Sequence, residues 1–339
     1  MEIIIPCAGL STRFPNLRPK YLLTDYTGHL MIENSAKHFI EKYNVTIAIL
    51  DIHDKQFSAS KKLREAFGNS VNIVILPSLT SGPAETVYQT IKIMDIEPNT
   101  PIFVKDCDSY FDCEIVPGNN VYVSDLKDNP HMHNTAGKSY TISNNQGLIS
   151  NIVEKQIVSS RFCVGGYQFD NASDFIETFE ILSDECDTEM YVSNVIDYLI
   201  LNGTVFEEQY VTNFVDIGTS PEWFNYNNKP TYFCDIDGTI IKTSVNYNDP
   251  YIPLKRNIDK LKSELARGCK IIFCTARPHK YKELTLSILN DLGFGECDLI
   301  MEVHHSKRVL INDYAASNPY PSAIAVNLQR DSDNLGDFL

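Results

Sequence analysis

The chain has 339 residues, of which 43% are hydrophobic and 22% are charged, and these ordinary globular values argue against disorder. Its length accommodates two domains of typical size. The formal net charge of −15 argues against a nucleic-acid binder, which needs a basic surface to displace counterions from phosphates. A nucleotide substrate is compatible with this charge, because a few local cations together with Mg²⁺ can hold a triphosphate.

The nine cysteines form no CxxC pair, and several lie in apolar runs, so we expect reduced cysteines that pack as small hydrophobic residues. No stretch reaches the ~18 apolar residues that span a bilayer. The opening run MEIIIPCAG is short and lacks a cationic lead, which predicts a buried first strand. We therefore expect a cytoplasmic protein without a membrane partner, and the sequence leaves a homo-oligomer open.

Apolar runs alternate with helix-like segments through the first part of the chain. The predicted elements are strands at 2–6, 45–50, 71–76 and 101–105 and helices at roughly 54–67 and 83–94. This β-α-β rhythm predicts parallel strands joined by crossover helices, and hence an open, Rossmann-like α/β sheet. In such sheets ligands bind at the carboxyl ends of the strands.

A second α/β rhythm begins after an Asn- and Pro-bearing segment, FNYNNKPTY, which lacks periodicity. That segment predicts a domain boundary, giving domains 1–228 and 229–339. The predicted elements of the second domain are strands at 231–235, 270–274, 298–302 and 308–311 and helices at 255–267 and 280–292. About 110 residues suffice for a small doubly wound domain without a large inserted cap.

A turn of small residues follows the first strand. Its backbone N–H groups and hydroxyls can approach a phosphate closely, and the turn comprises Ala8, Gly9, Leu10, Ser11 and Thr12. Arg13 can bind phosphate oxygens with two N–H groups, and Lys20 supplies a second cation. Two acids, Asp106 and Asp108, come directly after a later strand and suit a divalent cation that bridges phosphates.

The order of strand, small-residue turn, Thr-Arg and Pro-Lys-Tyr-Leu-Leu resembles the signature of the sugar-1-phosphate nucleotidyltransferase family, over roughly residues 1–225. The resemblance implies that the loop TSGPAET binds base and ribose through Thr80, Gly82 and Glu85. It implies an acceptor site at Glu154, Lys155 and Gly166, from the segments VEK and CVGGYQF. It also implies that Asp216 in NFVDIG joins Asp108 in binding Mg²⁺, with Asp106 close to them.

In the implied reaction a phosphate oxygen attacks the α-phosphorus of a nucleoside triphosphate and expels pyrophosphate. Both reactants are anionic, so placement and charge neutralisation by Arg13, Lys20 and Mg²⁺ are the main requirements. The short domain resembles the cytidylyltransferases for small phosphorylated alcohols, which favours CTP and a sugar or polyol phosphate. UTP and dTTP stay open. A metal-dependent glycosyltransferase, which also uses an Asp-x-Asp motif, is the alternative enzyme.

The run TYFCDIDGTI resembles the haloacid-dehalogenase-like phosphatase superfamily. That resemblance implies a small capless HAD-like domain with Asp235 as nucleophile and Asp237 as general acid and base. Thr275 would bind phosphate, and either Lys307, which we favour, or Arg308 would supply the phosphate cation. The metal ligands would be Asp235, Asp237 and Asp313, with Asn312 where many members carry a second acid.

Together the two resemblances predict a bifunctional enzyme for surface-polysaccharide or lipid precursors, a nucleotidyltransferase joined to a Mg²⁺-dependent phosphatase. A regulatory protein that only binds nucleotide and phosphate is the alternative from a different class. The presence of Arg13, Lys20, Asp216, Asp235 and Asp237 argues against that alternative.

Overall fold

The structure is a computed structural model that describes residues 1–132, 134–185, 189–312 and 323–339. The chain divides into two compact units, Met1–Asn227 and Asn228–Leu339. None of the helices in the described part is long and apolar enough to cross a bilayer.

Eleven strands and seven α-helices are described in the first unit. The strands are β1 (Glu2–Cys7), β2 (Asn44–Leu50), β3 (Val71–Leu76), β4 (Ile102–Lys105), β5 (Ser109–Asp112), β6 (Asn120–Asp125), β7 (Tyr140–Ser143), β8 (Ile149–Val153), β9 (Arg161–Phe169), β10 (Glu207–Tyr210) and β11 (Thr212–Asp216). The helices are α1 (Met31–Ala36), α2 (Asp51–Phe57), α3 (Ala59–Phe67), α4 (Pro83–Ile93), α5 (Ala172–Glu185), α6 (Val192–Leu201) and α7 (Ser220–Asn227).

The main sheet has the order β10-β6-β9-β4-β1-β2-β3, and the β7-β8 hairpin joins it through β9. Strands β4, β1, β2 and β3 run parallel, as the β-α-β rhythm predicts, whereas β9 runs antiparallel to both β4 and β6. The predicted open α/β sheet is therefore confirmed, with a mixed rather than wholly parallel sheet. Strands β5 and β11 form a separate antiparallel pair.

Strand β1 lies in the middle of the core and is buried on both faces. Ile3 and Ile5 pack with Phe103 on one side of the sheet, whereas Ile4 packs with Val104 on the other. All five side chains have no exposed surface. The continuous apolar run at the start of the chain therefore forms a strand covered on both faces, as expected for parallel sheets.

The helix predicted at 54–67 is divided into α2 and α3. Ser58 lies between them with a φ of 52°, in the left-handed region that ends a helix. The carboxylate of Asp54 then accepts a hydrogen bond of 2.8 Å from the N–H of Ser60 at the start of α3. The prediction of one continuous helix was wrong because the polar periodicity continues through a residue that changes the chain direction.

The second unit contains a three-stranded parallel sheet in the order β12-β13-β14. Its elements are β12 (Thr231–Cys234), α8 (Lys255–Ala266), β13 (Lys270–Cys274), α9 (Lys282–Asp291) and β14 (Asp298–Ile300). The strand predicted at 308–311 is not formed. Val309, Leu310 and Ile311 are 69%, 54% and 90% exposed, so this apolar run lacks the burial that stabilises a strand.

The loop before α4 packs tightly against the segment before α6, and this contact predicts a steric effect on stability. A Cβ added to Gly82 would lie 2.5 Å from the carbonyl oxygen of Met190. We expect Gly82→Ala to lower the free energy of unfolding by about 1–3 kcal/mol, because backbone would have to move. Gly9→Ala is the matched control, since its Cβ would meet no atom within 4 Å.

The measurement is urea unfolding followed by the fluorescence of Trp223. It is the single tryptophan of the chain and is buried in the first unit, so it reports on that unit. Equal midpoints for the two alanine variants would contradict the proposed packing.

Candidate functional site

The loops that follow β1 and β4 leave the sheet side by side. Strands β1 and β4 are parallel neighbours, and they end at Cys7 and Lys105. On its other side β1 pairs with β2, so β2 and β3 lie on one side of β1 and β4 lies on the other. Ligand sites of open α/β sheets lie at such a change of direction in the strand order. A cavity of about 450 Å³ opens at this edge.

Most of the residues predicted for the first site line this cavity. They are Ala8, Gly9, Leu10, Ser11, Thr12, Arg13, Lys20, Thr80, Gly82, Asp106, Asp108 and Glu154. The lining does not include Glu85, Lys155, Gly166 or Asp216. Four segments that are far apart in the sequence therefore meet at one cavity.

The turn after β1 is anchored through Ser11. Ser11 has a φ of 54°, and its hydroxyl accepts a hydrogen bond of 3.0 Å from the N–H of Lys20. Its carbonyl accepts a hydrogen bond of 2.8 Å from the N–H of Phe14, whose side chain is buried. Gly9, which precedes Ser11, and Arg13, which lies between Ser11 and Phe14, remain exposed and can meet a ligand.

Asp108 is the electrostatic centre of the site. Its Oδ2 atom lies 2.5 Å from Lys20 Nζ and 3.6 Å from an Arg13 guanidinium nitrogen. Burial alone would raise the pKa of Asp108, but the charges of Lys20, Arg13 and Lys138 outweigh it and hold that pKa well below its usual range. Asp108 is therefore an ionised carboxylate at neutral pH.

Asp106 occupies a space that exists because residue 165 is glycine. A Cβ on Gly165 would lie 2.5 Å from Asp106 Oδ2, and the φ of Gly165 is +83°. Burial, followed by repulsion from Asp108, raises the pKa of Asp106. Sequence reasoning chose Gly166, but Gly165 lines the cavity, whereas a Cβ on Gly166 would lie 2.8 Å from the ring of Phe111.

Asp216 approaches Asp108 through the pairing of β11 with β5, in which Asp216 lies opposite Ser109. Asp108 Oδ2 and Asp216 Oδ1 lie 2.9 Å and 3.2 Å from the point that a Cβ on Gly218 would occupy. The two oxygens are therefore at most about 6 Å apart. The absence of a side chain at Gly218 leaves open the space between them.

These carboxylates fit Mg²⁺. Two carboxylates that converge on an open space, with room for waters and phosphate oxygens, are a typical protein contribution to a magnesium site. The Oδ2 atom of Asp216 is buried and forms an ion pair of 2.5 Å with Lys138 Nζ. No cluster of three acidic, histidine or cysteine ligands occurs in the described residues. Asp108 and Asp216 are the candidate pair because their oxygens converge beside Gly218.

Lys138 was missed by sequence reasoning. It lines the cavity and forms an ion pair with Asp216. Its charge opposes the rise in the pKa of Asp106 and contributes to the low pKa of Asp108. The sequence AGKSY belongs to no motif, and the residue precedes a strand rather than following one. Only the folding of the β7–β9 region next to the Asp108 loop reveals it.

The loop predicted to contact the base is held by its own polar side chains. The hydroxyls of Thr80 and Thr86 lie 2.8 Å apart and share a hydrogen bond. Glu85 accepts a hydrogen bond of 2.5 Å from the N–H of Ser81. Glu85 therefore stabilises the start of α4 from outside the cavity lining, while Thr80 and Gly82 line the cavity.

Glu154 lines the cavity, and two hydroxyl groups hold its carboxylate. Ser139 and Ser193 both donate hydrogen bonds to Glu154 Oε2, the second of them at 2.5 Å. Hydroxyl groups of an acceptor could exchange with these partners without leaving a charge unpaired.

Lys155, its neighbour, is directed to the rim. Lys155 Nζ lies 4.2 Å from the centre of the Tyr191 ring and 3.8 Å from a carboxylate oxygen of Glu189. Its side chain is 50% exposed.

In the second unit, the parallel pairing of β12 with β13 brings the predicted residues to one edge. Asp235 and Asp237 follow β12, and Thr275 follows β13. Thr275 is buried, and its hydroxyl accepts a hydrogen bond of 3.1 Å from the N–H of Arg277. Two carboxylates and a hydroxyl thus meet where parallel strands end.

Each of these carboxylates faces an arginine. Arg277 donates two hydrogen bonds of 2.7 Å and 2.9 Å to Asp237 and is itself 3% exposed. Arg308 lies 3.2 Å from Asp235, and burial raises the pKa of Asp235 although Arg308 opposes that shift. Sequence reasoning missed Arg277, although an arginine two residues after the strand-end threonine was a readable signal.

Of the two predicted phosphate cations, Arg308 meets Asp235, and both Arg308 and Lys307 are exposed. Asp313 lies outside the described residues. The residues that the structure does describe in this unit therefore do not by themselves form the predicted three-carboxylate metal site.

Comparison with known proteins finds solved structures of similar fold. A nucleoside-diphosphate-sugar pyrophosphorylase from Vibrio cholerae RC9 superposes with a TM-score of 0.57 at 19% identity, covering 67% of this chain and 100% of that one. The inositol-1-phosphate CTP transferase from T. maritima gives a TM-score of 0.53 at 12% identity, covering 65% and 90%. A protein from Bacillus anthracis described as a glucose-1-phosphate thymidylyltransferase, in complex with a sucrose, gives 0.54 at 17% identity, covering 67% and 94%.

The share of the chain that these structures cover corresponds in length to the first unit. At these identities the similarity shows a common α/β fold with a mixed sheet. No family model matches the chain, and no curated protein matches its sequence.

Lys105 fixes the position of the Asp106–Asp108 segment from inside the core. Its Nζ donates hydrogen bonds to the carbonyl of Asp106 (2.6 Å) and to the carbonyl and hydroxyl of Ser109 (2.8 and 2.9 Å). The side chain is 1% exposed. Burial lowers the pKa of Lys105 to about 8, although the neighbouring charges of Asp106 and Asp108 oppose that shift.

This buried lysine predicts a pH-dependent stability. Above about pH 8 the folded chain releases the Lys105 proton, whereas the unfolded chain keeps it up to the ordinary value of 10.5. Unfolding then takes up a proton, so stability rises with pH. From pH 7 to pH 10 the unfolding free energy of the wild type should increase by about 2 kcal/mol relative to Lys105→Met.

Urea unfolding of both proteins across this pH range, followed by Trp223 fluorescence, tests the prediction. Lys42→Met, at an exposed lysine of the same unit, should give the pH profile of the wild type. A constant difference between the wild type and Lys105→Met would rule out a depressed pKa at Lys105.

Proposed function

We propose that the first unit transfers a nucleotidyl group from a nucleoside triphosphate to a sugar or polyol phosphate and releases pyrophosphate. The observation that carries the proposal is the contact of Lys20 and Arg13 with Asp108 at the edge of a 450 Å³ cavity. Two cations and a carboxylate pair beside an open turn suit a polyphosphate. The similar folds include proteins described as pyrophosphorylases and transferases of this chemical type.

The chain's own residues can position both reactants. A phosphate oxygen of the acceptor forms a bond to the α-phosphorus. At the same time the bond between the α-phosphorus and the oxygen that bridges it to the β-phosphate breaks, and its electron pair leaves with pyrophosphate. Arg13 and Lys20 neutralise the triphosphate, and the turn at Gly9 allows its close approach. Asp108 and Asp216 would hold Mg²⁺, which supplies charge neutralisation when bound. No strong base is needed, because the acceptor phosphate is already ionised.

We propose CTP as the nucleotide. The support is the likeness of the short first unit to cytidylyltransferases for small phosphorylated alcohols, and the similar fold of the protein described as an inositol-1-phosphate CTP transferase. The product would be a nucleotide-activated sugar or polyol, a type of compound that serves as a precursor of surface polysaccharides. A cytoplasmic location would suit these substrates.

A pyrophosphate-release assay with Mg²⁺ tests the transfer reaction. CTP, UTP, dTTP, ATP and GTP are each combined with a panel of sugar and polyol phosphates, and we expect release with CTP. Lys20→Ala should lower kcat/KM by about 10²–10³-fold, because a cation that stabilises transferring charge is lost. The exposed Lys42→Ala is the matched control and should leave the rate unchanged.

Full activity of Lys20→Ala would contradict its assignment to the triphosphate. Release of a nucleoside diphosphate from a nucleotide sugar, instead of pyrophosphate from a triphosphate, would identify a glycosyltransferase. Nucleotide binding without either reaction would favour a regulatory protein.

For the second unit we propose phosphate monoester hydrolysis. Asp235 would attack phosphorus and form an aspartyl-phosphate while Asp237 gives a proton to the leaving oxygen. Water would then attack the same phosphorus, Asp237 would take the water proton, and Asp235 would be released. The convergence of Asp235, Asp237 and Thr275 at the ends of two parallel strands supports this proposal.

Hydrolysis of p-nitrophenyl phosphate with Mg²⁺ tests this second activity. Asp235→Asn should abolish it, because an amide cannot form the phosphoenzyme, while pyrophosphate release stays unchanged. The contact of Arg308 with Asp235 supports Arg308 over Lys307 as the phosphate cation. Arg308→Ala should therefore lower kcat/KM at least tenfold more than Lys307→Ala, and the reverse order would restore the prediction from sequence.

A further inference from the structure

We propose that Lys138 binds the phosphate group of the acceptor in the first unit. This assignment rests on the proposed transfer reaction and names a residue for its second substrate. Sequence reasoning placed the acceptor at Glu154, Lys155 and Gly166. The geometry points to the lysine that lies inside the cavity instead of Lys155 at its rim.

Lys138 lies beside the turn that was predicted to hold the acceptor. Its carbonyl accepts a hydrogen bond of 3.0 Å from the N–H of Lys155. Ser139, the next residue, donates a hydrogen bond to the carboxylate of Glu154 and accepts another of 2.8 Å from the N–H of Cys163 in β9. Lys138 is thus attached by backbone to the predicted acceptor turn, while its side chain lines the cavity.

The cations of the cavity come from two separate segments of the chain. Among the described residues of the lining, the lysines and arginines are Arg13, Lys20 and Lys138. Arg13 and Lys20 belong to the turn after β1, where the triphosphate is expected. Lys138 comes from the region before β7, and the next residue, Ser139, donates a hydrogen bond to Glu154. An anionic acceptor needs a cation of its own, because it must approach another anion.

The ammonium of Lys138 has donors to offer. An ammonium group has three N–H bonds, and the ion pair with one carboxylate oxygen of Asp216 at 2.5 Å leaves other N–H bonds for a ligand. Lys138 is 17% exposed, which limits competition from water and strengthens a contact with phosphate. A phosphate that enters beside Asp216 would therefore meet a cation already in place.

Lys155 has a different environment. Its ammonium donates a hydrogen bond to the hydroxyl of Tyr191 and lies near Glu189, two residues of the cavity lining, and its side chain is 50% exposed. These contacts suit a structural role at the rim, where an exposed ion pair contributes little. Lys138 and Lys155 thus form a matched pair of lysines, joined by one backbone hydrogen bond, for a direct comparison.

The test compares Lys138→Met and Lys155→Met in the full-length protein. With the acceptor found in the pyrophosphate assay, Lys138→Met should raise the acceptor KM at least tenfold while the KM of the triphosphate changes less than threefold. Lys155→Met should leave both within threefold. Lys138→Arg keeps the charge and should recover most of the acceptor affinity. Trp223 fluorescence confirms that each variant is folded.

A binding measurement keeps the assignment independent of turnover. Calorimetric titration with glucose 1-phosphate, and with inorganic phosphate, should show a binding event in the wild type that Lys138→Met loses and Lys155→Met keeps. Binding at the second unit would be common to all three proteins and would not alter this difference.

The outcomes separate the two proposals. Pyrophosphate release with an unchanged acceptor KM in Lys138→Met would overturn the role of Lys138 alone. Binding that depends on Lys138, without pyrophosphate release for any substrate pair, would overturn the transfer reaction alone. Absence of both would overturn both, and a larger effect of Lys155→Met would return the acceptor phosphate to Lys155.

Discussion

The parallel pairing of β1 with β4 brings together residues that lie about a hundred positions apart in the chain. Glu2 pairs with Ile102 and Ile4 with Val104, and the two strands therefore end together. The turn that carries Arg13 and Lys20 meets the segment that carries Asp108 at this common edge. Burial of β1 on both faces makes this pairing rigid, so that the charges are placed before any ligand arrives.

Charge balance is the second constraint on the site. Four carboxylates and three cations, including Lys138, line the cavity in a protein of net charge −15, and the proposed reaction would bring two further anions into it. A partly buried carboxylate such as Asp108 is stable only with partners, and removal of one partner of a buried pair costs about 3–5 kcal/mol. The ion pairs therefore hold the cations of the site in place until phosphate groups compete for them.

The second unit uses the same principle with different residues. Parallel strands β12 and β13 end beside each other and bring Asp235, Asp237 and Thr275 to one edge. Arg277 binds both oxygens of Asp237 and so orients that carboxylate, while Arg308 faces Asp235. In both units a carboxylate at a strand end is paired with a cation from another segment, which is the arrangement that a phosphate group can enter.

The sequence by itself determined the parts that depend on local pattern. Apolar runs of strand length predicted β1 to β4, because a strand covered on both faces needs continuous apolar residues. Glycine and charged residues after those strands predicted Arg13, Lys20 and Asp108, because ligand sites follow strand ends. Only the tertiary structure decided what depends on distant neighbours. Lys138 enters the cavity through the β7–β9 region, Gly165 rather than Gly166 makes room for Asp106, and the apolar run at 309–311 remains exposed. Packing against segments far away in the chain sets these outcomes, and no local pattern encodes such contacts.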